Sequence, residues 1–357
     1  MSSQQARPAV VLAAVLAIGV VCVWLLMGTP GSLLTGQPHR LGPGPQLDET
    51  VIVRIDQGDS AAAIAAKLEE SDVIQSARLF RTLATLMGVG GKLAAGDYEF
   101  HRGESAAVAV QRISLGITAS RLITIPEGWR GEEIGVLLEE NGVVPAAEFR
   151  QALLGQYDAE FLAELPSGAG LEGFLFPATY GFALGVTPAQ AVQQLLDAFD
   201  GRYAEHVQPL LAASSLSLYD AVTLASIVER EAQVPEERPI IASVFLNRLA
   251  EGIALEADPT VQYALGNDPA SVAEYGYWKG DLTIDDLAVD SPYNTYAHAG
   301  LPPGPIANPG LDSILAVLQP ARTDYLYFVA RPDGSHAFAA TLEDHLNNIC
   351  EIDPGRC

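Results

Sequence analysis

An α+β fold behind an N-terminal transmembrane helix is what the sequence predicts, on three observations. Residues 9–27 form nineteen consecutive residues without a charge. Two segments seventy residues apart share a plan of alternating apolar residues, a glycine and a helical pattern. After residue 155 long helical patterns end in an alternating aromatic stretch at 325–341.

The uncharged run, AVVLAAVLAIGVVCVWLLM, would rise about 28 Å as a helix, the thickness of a hydrocarbon core. A cleaved signal peptide would have a shorter apolar region and a small-residue cleavage site, and none follows Met27. An uncleaved anchor is therefore expected. Arg7 precedes it and the next basic side chain of the Lys/Arg type is Arg40, which places residues 1–8 in the cytoplasm. The bulk of the chain then lies outside the cytoplasmic (inner) membrane on a single span. Residues 28–47 carry five glycines and four prolines and read as a spacer, because neither helix nor sheet propagates through them.

The repeat follows. VRIDQGDSAAAIAAKLEESDVI from Val53 aligns with ITIPEGWRGEEIGVLLEENGVV from Ile123, superposing Ile55 on Ile125, Gly58 on Gly128, Ile64 on Ile134, Leu68 on Leu138 and Val73 on Val143. Each copy predicts a strand, a turn at the glycine and a helix, giving units at 48–119 and 120–155. The first resembles a LysM module, a peptidoglycan-binding fold, in QGDSAAAIAAKL. Residues 156–350 read as a larger domain, with helices over 187–211 and 218–232 and a hairpin around Asp333-Gly334. A tail of 351–357 closes the chain. Cys350 and Cys357 flank EIDPGR, a spacing that an oxidising compartment could close into a small loop and that otherwise leaves two terminal thiols.

Composition narrows the function. Among 357 residues, 20 Lys and Arg stand against 44 Asp and Glu, a net charge of −24, so a phosphate backbone is excluded as partner for want of clustered cations. No metal centre is predicted: His298, His336 and His345 do not form an H-E-x-x-H or paired cysteine-histidine spacing. No cofactor is expected either.

Carboxylates in apolar company are the conspicuous feature. In ASIVEREA, residues 225–232, a helical wheel puts Glu231 on the side of Leu224, Ile227 and Val228, with Glu229 at the margin beside Val222 and Ala225. A glutamate so placed has its charged form disfavoured and can donate a proton near neutral pH. A solvated surface of Glu229, Arg230, Glu231, Glu236, Glu237 and Arg238 is the plainer reading of the spacing alone. Three other stretches tilt the balance. GLEGFLFPATYGF, residues 170–182, surrounds Glu172 with aromatics, which suit a sugar ring as well as a core. DPTVQYAL, residues 258–265 and containing Gln262, starts a helix with Asp258 expected as its cap and Pro259 at its first position. SPYNTYAHAGLPPGPIANPG, residues 291–310, is stiffened by its prolines and displays Tyr293, Asn294, Tyr296 and Asn308, side chains that orient a polar ligand.

Taken together, LEGFLFPATY, ASIVERE, DPTVQYAL and the 291–310 stretch resemble, in the same order, the MltG (YceG-like) family of membrane-anchored endolytic murein transglycosylases over roughly residues 48–350. The resemblance implies cleavage of the β-1,4 bond between N-acetylmuramic acid and N-acetylglucosamine in nascent glycan strands, leaving 1,6-anhydro-muramic ends. It also implies peptidoglycan as substrate, the cytoplasmic membrane as support and glycan-polymerising synthases as partners. It assigns the general acid, later the base, to Glu229; Glu231 is expected to support it, and Glu172, Asp258, Gln262, Tyr293, Asn294, Tyr296 and Asn308 are expected to contact substrate. Two positions depart from the family pattern, Ala178 in FPATY and Glu256 in LEADPT. Two other readings compete: a non-catalytic peptidoglycan-binding scaffold, and a muramidase that hydrolyses with a second carboxylate, for which Asp258 and Glu172 are the available groups.

Overall fold

The computed structural model describes residues 49–357, so the expected cytoplasmic segment, membrane span and spacer lie outside the described residues. Among the described residues no helix is long and apolar enough to cross a membrane.

The first unit opens with β1 (Thr50–Ile55), α1 (Ala61–Glu70) and α2 (Ala77–Leu86) and returns in β2 (Gly96–His101), antiparallel to β1 with Val53 opposite Tyr98. Helix α3 (Ala106–Ser114) covers it. Ser60, Ser76 and Ser105 each accept a hydrogen bond from the third residue of the helix they precede, which fixes where the three helices begin. A core of its own, running from Val53 through Phe80 and Phe100 to Ile113, fills this unit.

The second unit repeats the plan with β3 (Ser120–Thr124), α4 (Gly131–Glu140) and α5 (Ala146–Ala152), but closes late. Its partner strand β4 (Thr179–Ala183) lies beyond residue 155, antiparallel to β3. The alignment inferred from sequence is physical: Gly58 and Gly128 both adopt positive φ, +93° and +75°, and Ile64, Leu68, Ile134 and Leu138 are all fully buried. The expected boundary at 155 has no counterpart in the packing, because Ile125, Ile134 and Leu138 share one core with Phe174, Phe199, Val228 and Ile314.

That shared core belongs to the helical part. Helix α6 (Pro188–Arg202) runs through a π-helical turn at Tyr203–Val207 into α7 (Gln208–Leu211). Next come α8 (Leu218–Glu231), α9 (Arg238–Glu251), α10 (Asp258–Leu265), α11 (Pro269–Tyr275), α12 (Ile284–Leu287) and α13 (Leu311–Leu318). The predicted hairpin is present as β5 (Tyr327–Ala330) and β6 (His336–Ala339), turning at Asp333-Gly334, and α14 (Leu342–Ile352) packs on it. Cys350 and Cys357 are joined in a disulfide. From Ala221 to Val228 every residue of α8 is buried, so this helix is the axis of the domain and delivers its C-terminal glutamates to the surface of the core.

Segments 170–177 and 291–310 are locked together by one amide. Asn308 is fully buried. Its Oδ1 accepts from the backbone N–H groups of Gly173 and Leu175 at 2.8 and 2.9 Å, and its Nδ2 donates to the Trp129 carbonyl at 2.9 Å and to Glu172 at 2.7 Å. Gly173 makes this approach possible: at φ +91° a Cβ would lie 2.6 Å from Pro305 and 2.8 Å from Val222. Gly173→Ala is expected to lower stability by about 3 kcal/mol through backbone strain and overpacking, measurable as a reduced urea midpoint with an unchanged slope.

Candidate active site

The C-terminal end of α8 carries the two glutamates to opposite surroundings. Glu229 is enclosed. Its Oε1 lies 3.3 Å from Arg238 Nη2, while its Oε2 accepts from the Gly310 backbone N–H at 3.0 Å and from the Ser313 hydroxyl at 2.7 Å. Gly310 caps α13, so this carboxylate seats the N-terminus of α13 against the end of α8, where a helix's unpaired N–H groups favour an acceptor. Glu127 packs over Gly310, and burial followed by the Glu229 charge pushes its carboxyl upward.

Glu231 is the last residue of α8 and faces a cleft of about 300 Å³. Asp258, Tyr296, Glu256, Arg248 and His336 line the same cleft, with Phe328 and Leu255 as apolar wall. Glu231 is half-exposed as a residue, but its carboxyl is desolvated: burial, then the Asp258 charge, pushes it up to about 8 against the opposing pull of Arg230. The negative end of the α8 dipole works in the same direction. At neutral pH this carboxyl therefore holds its proton.

Asp258 does not cap its helix as expected. Ala257 occupies the cap position and Asp258 is the first helical residue. No side chain caps the helix; a threonine pair holds the cap residue instead, Thr295 Oγ1 accepting from the Ala257 N–H at 3.0 Å and lying 2.9 Å from Thr260 Oγ1. Asp258 is thereby left exposed at the cleft, where Tyr296 donates its hydroxyl to Oδ1 at 2.7 Å. Burial foremost, and then the bond to Asp258, keep the Tyr296 phenol protonated well above its ordinary range. Glu256, with φ +52°, is held by Arg248, which also donates to the Ala254, Leu255 and Leu326 carbonyls. Arg248 so ties the α9–α10 connection to the start of the hairpin.

The remaining predicted residues do other work. Asn294 is fully buried, donating to the Leu287 and Val289 carbonyls at 2.9 and 3.0 Å and accepting from the Tyr296 N–H at 3.0 Å. Asn294 is spent on backbone and Asn308 on backbone and the Glu172 carboxyl, so neither amide is available to a ligand. Glu172 accepts from the Gly131 N–H and from Asn308, and burial, then the Glu132 charge, pushes it up to about 8. It is a buried brace and does not line the cleft. Tyr293 packs its ring 4.7 Å from that of Tyr263, and Gln262 donates to the Lys279 carbonyl at 2.8 Å. Of the predicted set, the structure brings Glu231, Asp258 and Tyr296 together. The assignment of the acid to Glu229 thus meets a geometric objection: its carboxylate is bonded to three donors away from the cleft residues.

Sequence reasoning took Arg238 for part of a solvated surface and missed the other arginines that position these groups. Besides Arg248 and Arg238, Arg130 is fully buried, stacked 4.2 Å over Tyr263 and bonded to the Tyr263 carbonyl and Asn267. Their partners lie up to 137 residues away, so no local pattern announces them. Among the described residues no cluster of three or more His, Cys, Asp or Glu side chains could hold a metal ion. His336 is engaged by Glu237 at 2.7 Å, His345 stacks on Tyr327 and His298 is exposed.

The YceG-like family model matches residues 53–351. This chain belongs to the YceG-like family. Over 309 residues it is 34% identical to a Bacillus subtilis (strain 168) protein named endolytic murein transglycosylase, covering 83% of each chain. A Streptococcus pneumoniae (D39) protein of the same name is 30% identical over 328 residues, which are 84% of this chain and 58% of the longer relative. The crystal structure of a putative YceG-like protein from Listeria monocytogenes superposes with a TM-score of 0.55 at 34% identity, covering 84% of this chain and 98% of that one.

One titration follows from the cleft. Glu231 binds its proton up to about 8 in the folded chain but releases it near 4.5 when unfolded. Between those values the folded state holds the extra proton, so the contribution of Glu231 to stability falls as pH rises. Glu231→Gln is expected to gain stability relative to the parent from pH 5 to pH 8, read from urea midpoints at the two pH values.

Proposed function

We propose that this chain is an endolytic murein transglycosylase whose proton donor is Glu231. Membership of the YceG-like family and the names of its relatives support the activity. The observation that carries the residue assignment is the desolvated carboxyl of Glu231 beside Asp258 in the cleft. A neutral carboxylic acid at pH 7 is what the departure of a glycosidic oxygen requires.

The reaction then runs on one carboxyl group. Glu231 gives its proton to the oxygen that leaves as the 4-hydroxyl of N-acetylglucosamine, and the bond from that oxygen to the anomeric carbon of N-acetylmuramic acid breaks with oxocarbenium character. The resulting carboxylate accepts the proton of the muramic acid's own 6-hydroxyl as that oxygen bonds to the anomeric carbon. No water enters, the product carries a 1,6-anhydro end, and Glu231 is returned protonated. Asp258 holds a negative charge where positive charge develops on the sugar, and Tyr296 fixes its orientation through the 2.7 Å hydrogen bond. Under this reading Glu229 is structural, seating α13.

An anchor at residues 9–27 would hold the enzyme at the outer face of the cytoplasmic membrane, where nascent strands emerge and glycan-polymerising synthases work. Cutting inside such strands would end their elongation. The LysM resemblance of residues 48–119 and their strand-helix-helix-strand order support a glycan-binding role for the first unit.

The deciding experiment compares products from purified glycan strands by mass spectrometry. Dehydrated muramic ends are expected from the parent and from Glu229→Gln, the latter at stability lower by roughly 1–3 kcal/mol for its broken clasp. Glu231→Gln should lose at least about 10²-fold in rate. Reducing ends would instead identify a hydrolase, and equal release by parent and Glu231→Gln would remove the assignment. Asp258→Asn removes a charge that holds the Glu231 proton in place, so any residual activity should fail at a lower pH than in the parent.

A further inference from the structure

The first unit presents a surface that the proposed reaction leaves unused. Residues 73–96 are 24 residues without a single Asp or Glu, and they carry Arg78, Arg81 and Lys92, in a chain of net charge −24. Helix α2 lies in this stretch. It buries Phe80 and Ala84 against the unit's core and turns Arg78, Leu79, Arg81 and Leu86 outward. Leu79 and Leu86 are 52% and 78% exposed. Seven residues apart, they stand one above the other two turns along the helix, with the two arginines on the adjoining side. Met87 continues the exposed apolar line. A hydrogen bond from the Ala94 N–H to the Ile113 carbonyl brings the Lys92 loop to the end of α3, where Leu115 and Ile117 are also exposed.

Leucines flanked by cations, with no carboxylate along the chain between Asp72 and Asp97, are the composition of a helix that lies in a lipid headgroup layer. The rest of this acidic molecule would be repelled by an anionic surface, so this is the face that could approach one. We propose that α2, with the Lys92 loop, docks on anionic lipid headgroups of the membrane that anchors the chain. The proposal rests on the reading of residues 9–27 as a membrane span. Given that span, only 22 residues, 28–49, separate it from β1. Even fully extended, 22 residues reach no more than about 75 Å, so β1 stays within that distance of the bilayer and the docking of α2 is effectively intramolecular. Docked there, the first unit would fix the height at which the cleft meets emerging glycan.

The test uses the full-length chain reconstituted in nanodiscs of phosphatidylglycerol or of phosphatidylcholine, read by amide hydrogen exchange. Exchange across residues 77–93 is expected to be several-fold slower in phosphatidylglycerol discs, with β1 and β2 unchanged. Arg78→Glu combined with Arg81→Glu should abolish the difference, and high salt should weaken it. Both substitutions are at exposed positions, and release of anhydro ends from soluble strands by the same preparation should be preserved. Equal exchange in the two lipids overturns docking whether or not the enzyme is active. Failure of the chain to enter discs overturns the anchor and docking together. Loss of activity with lipid-dependent protection intact counts against the proposed reaction and not against this surface.

Discussion

A carboxyl group at the end of a buried helix is the constraint on which the site depends. Helix α8 is enclosed from Ala221 to Val228, and its last residue emerges only at Glu231, where the cleft begins. Burial, the neighbouring Asp258 and the negative pole of the helix all disfavour charge at one position. The same helix delivers Glu229 two residues earlier to the opposite environment, among an arginine, a hydroxyl and a backbone N–H. Two residues of helix, about 200° of rotation at about 100° per residue, thus separate a desolvated carboxyl at the cleft from one clasped by donors.

Around that helix, backbone that would otherwise be irregular is held by side-chain amides. Asn308 joins residues 129, 172, 173 and 175, and Asn294 ties its own loop to the end of α12. Each satisfies buried backbone groups that no strand or helix pairs, which is how a glycine- and proline-rich loop becomes as fixed as a regular element. The rigidity reaches the chemistry through Tyr296, whose N–H is held by Asn294 and whose hydroxyl holds Asp258.

Much of this was legible in the sequence because it is local. The repeat, the glycine turns and the 327–339 hairpin follow from periodicity and from residues that tolerate positive φ. The helical wheel also placed Glu231 on the apolar side, while the resemblance favoured Glu229; the structure puts Glu231 at the cleft and bonds Glu229 to Arg238, Gly310 and Ser313. The closing strand β4 was not legible, because its pairing with β3 spans 55 residues at Thr124 and Thr179. Nor were the roles of Asn294 and Asn308. An amide in a stiff loop looks alike whether it faces a ligand or its own backbone, and only the positions of Gly173, Leu175 and Leu287 decide. Asp258 was misread as a cap since Ala257 takes that position, held by Thr295, which comes 37 positions after Asp258 and is invisible to local rules.

Arg130 separates the fates of the two repeat copies. It projects from the start of α4 into the helical core, where Tyr263 stacks on it and Asn267 binds it, and Gly266 leaves room for it: a Cβ there would meet Nη1 at 2.3 Å. The first copy, with its private core, is a cassette that evolution or an engineer could exchange for another surface-binding unit. The second has been soldered in. Any lineage that diversified this scaffold would be free to vary its front end while keeping residues 120–183 as part of the catalytic chassis.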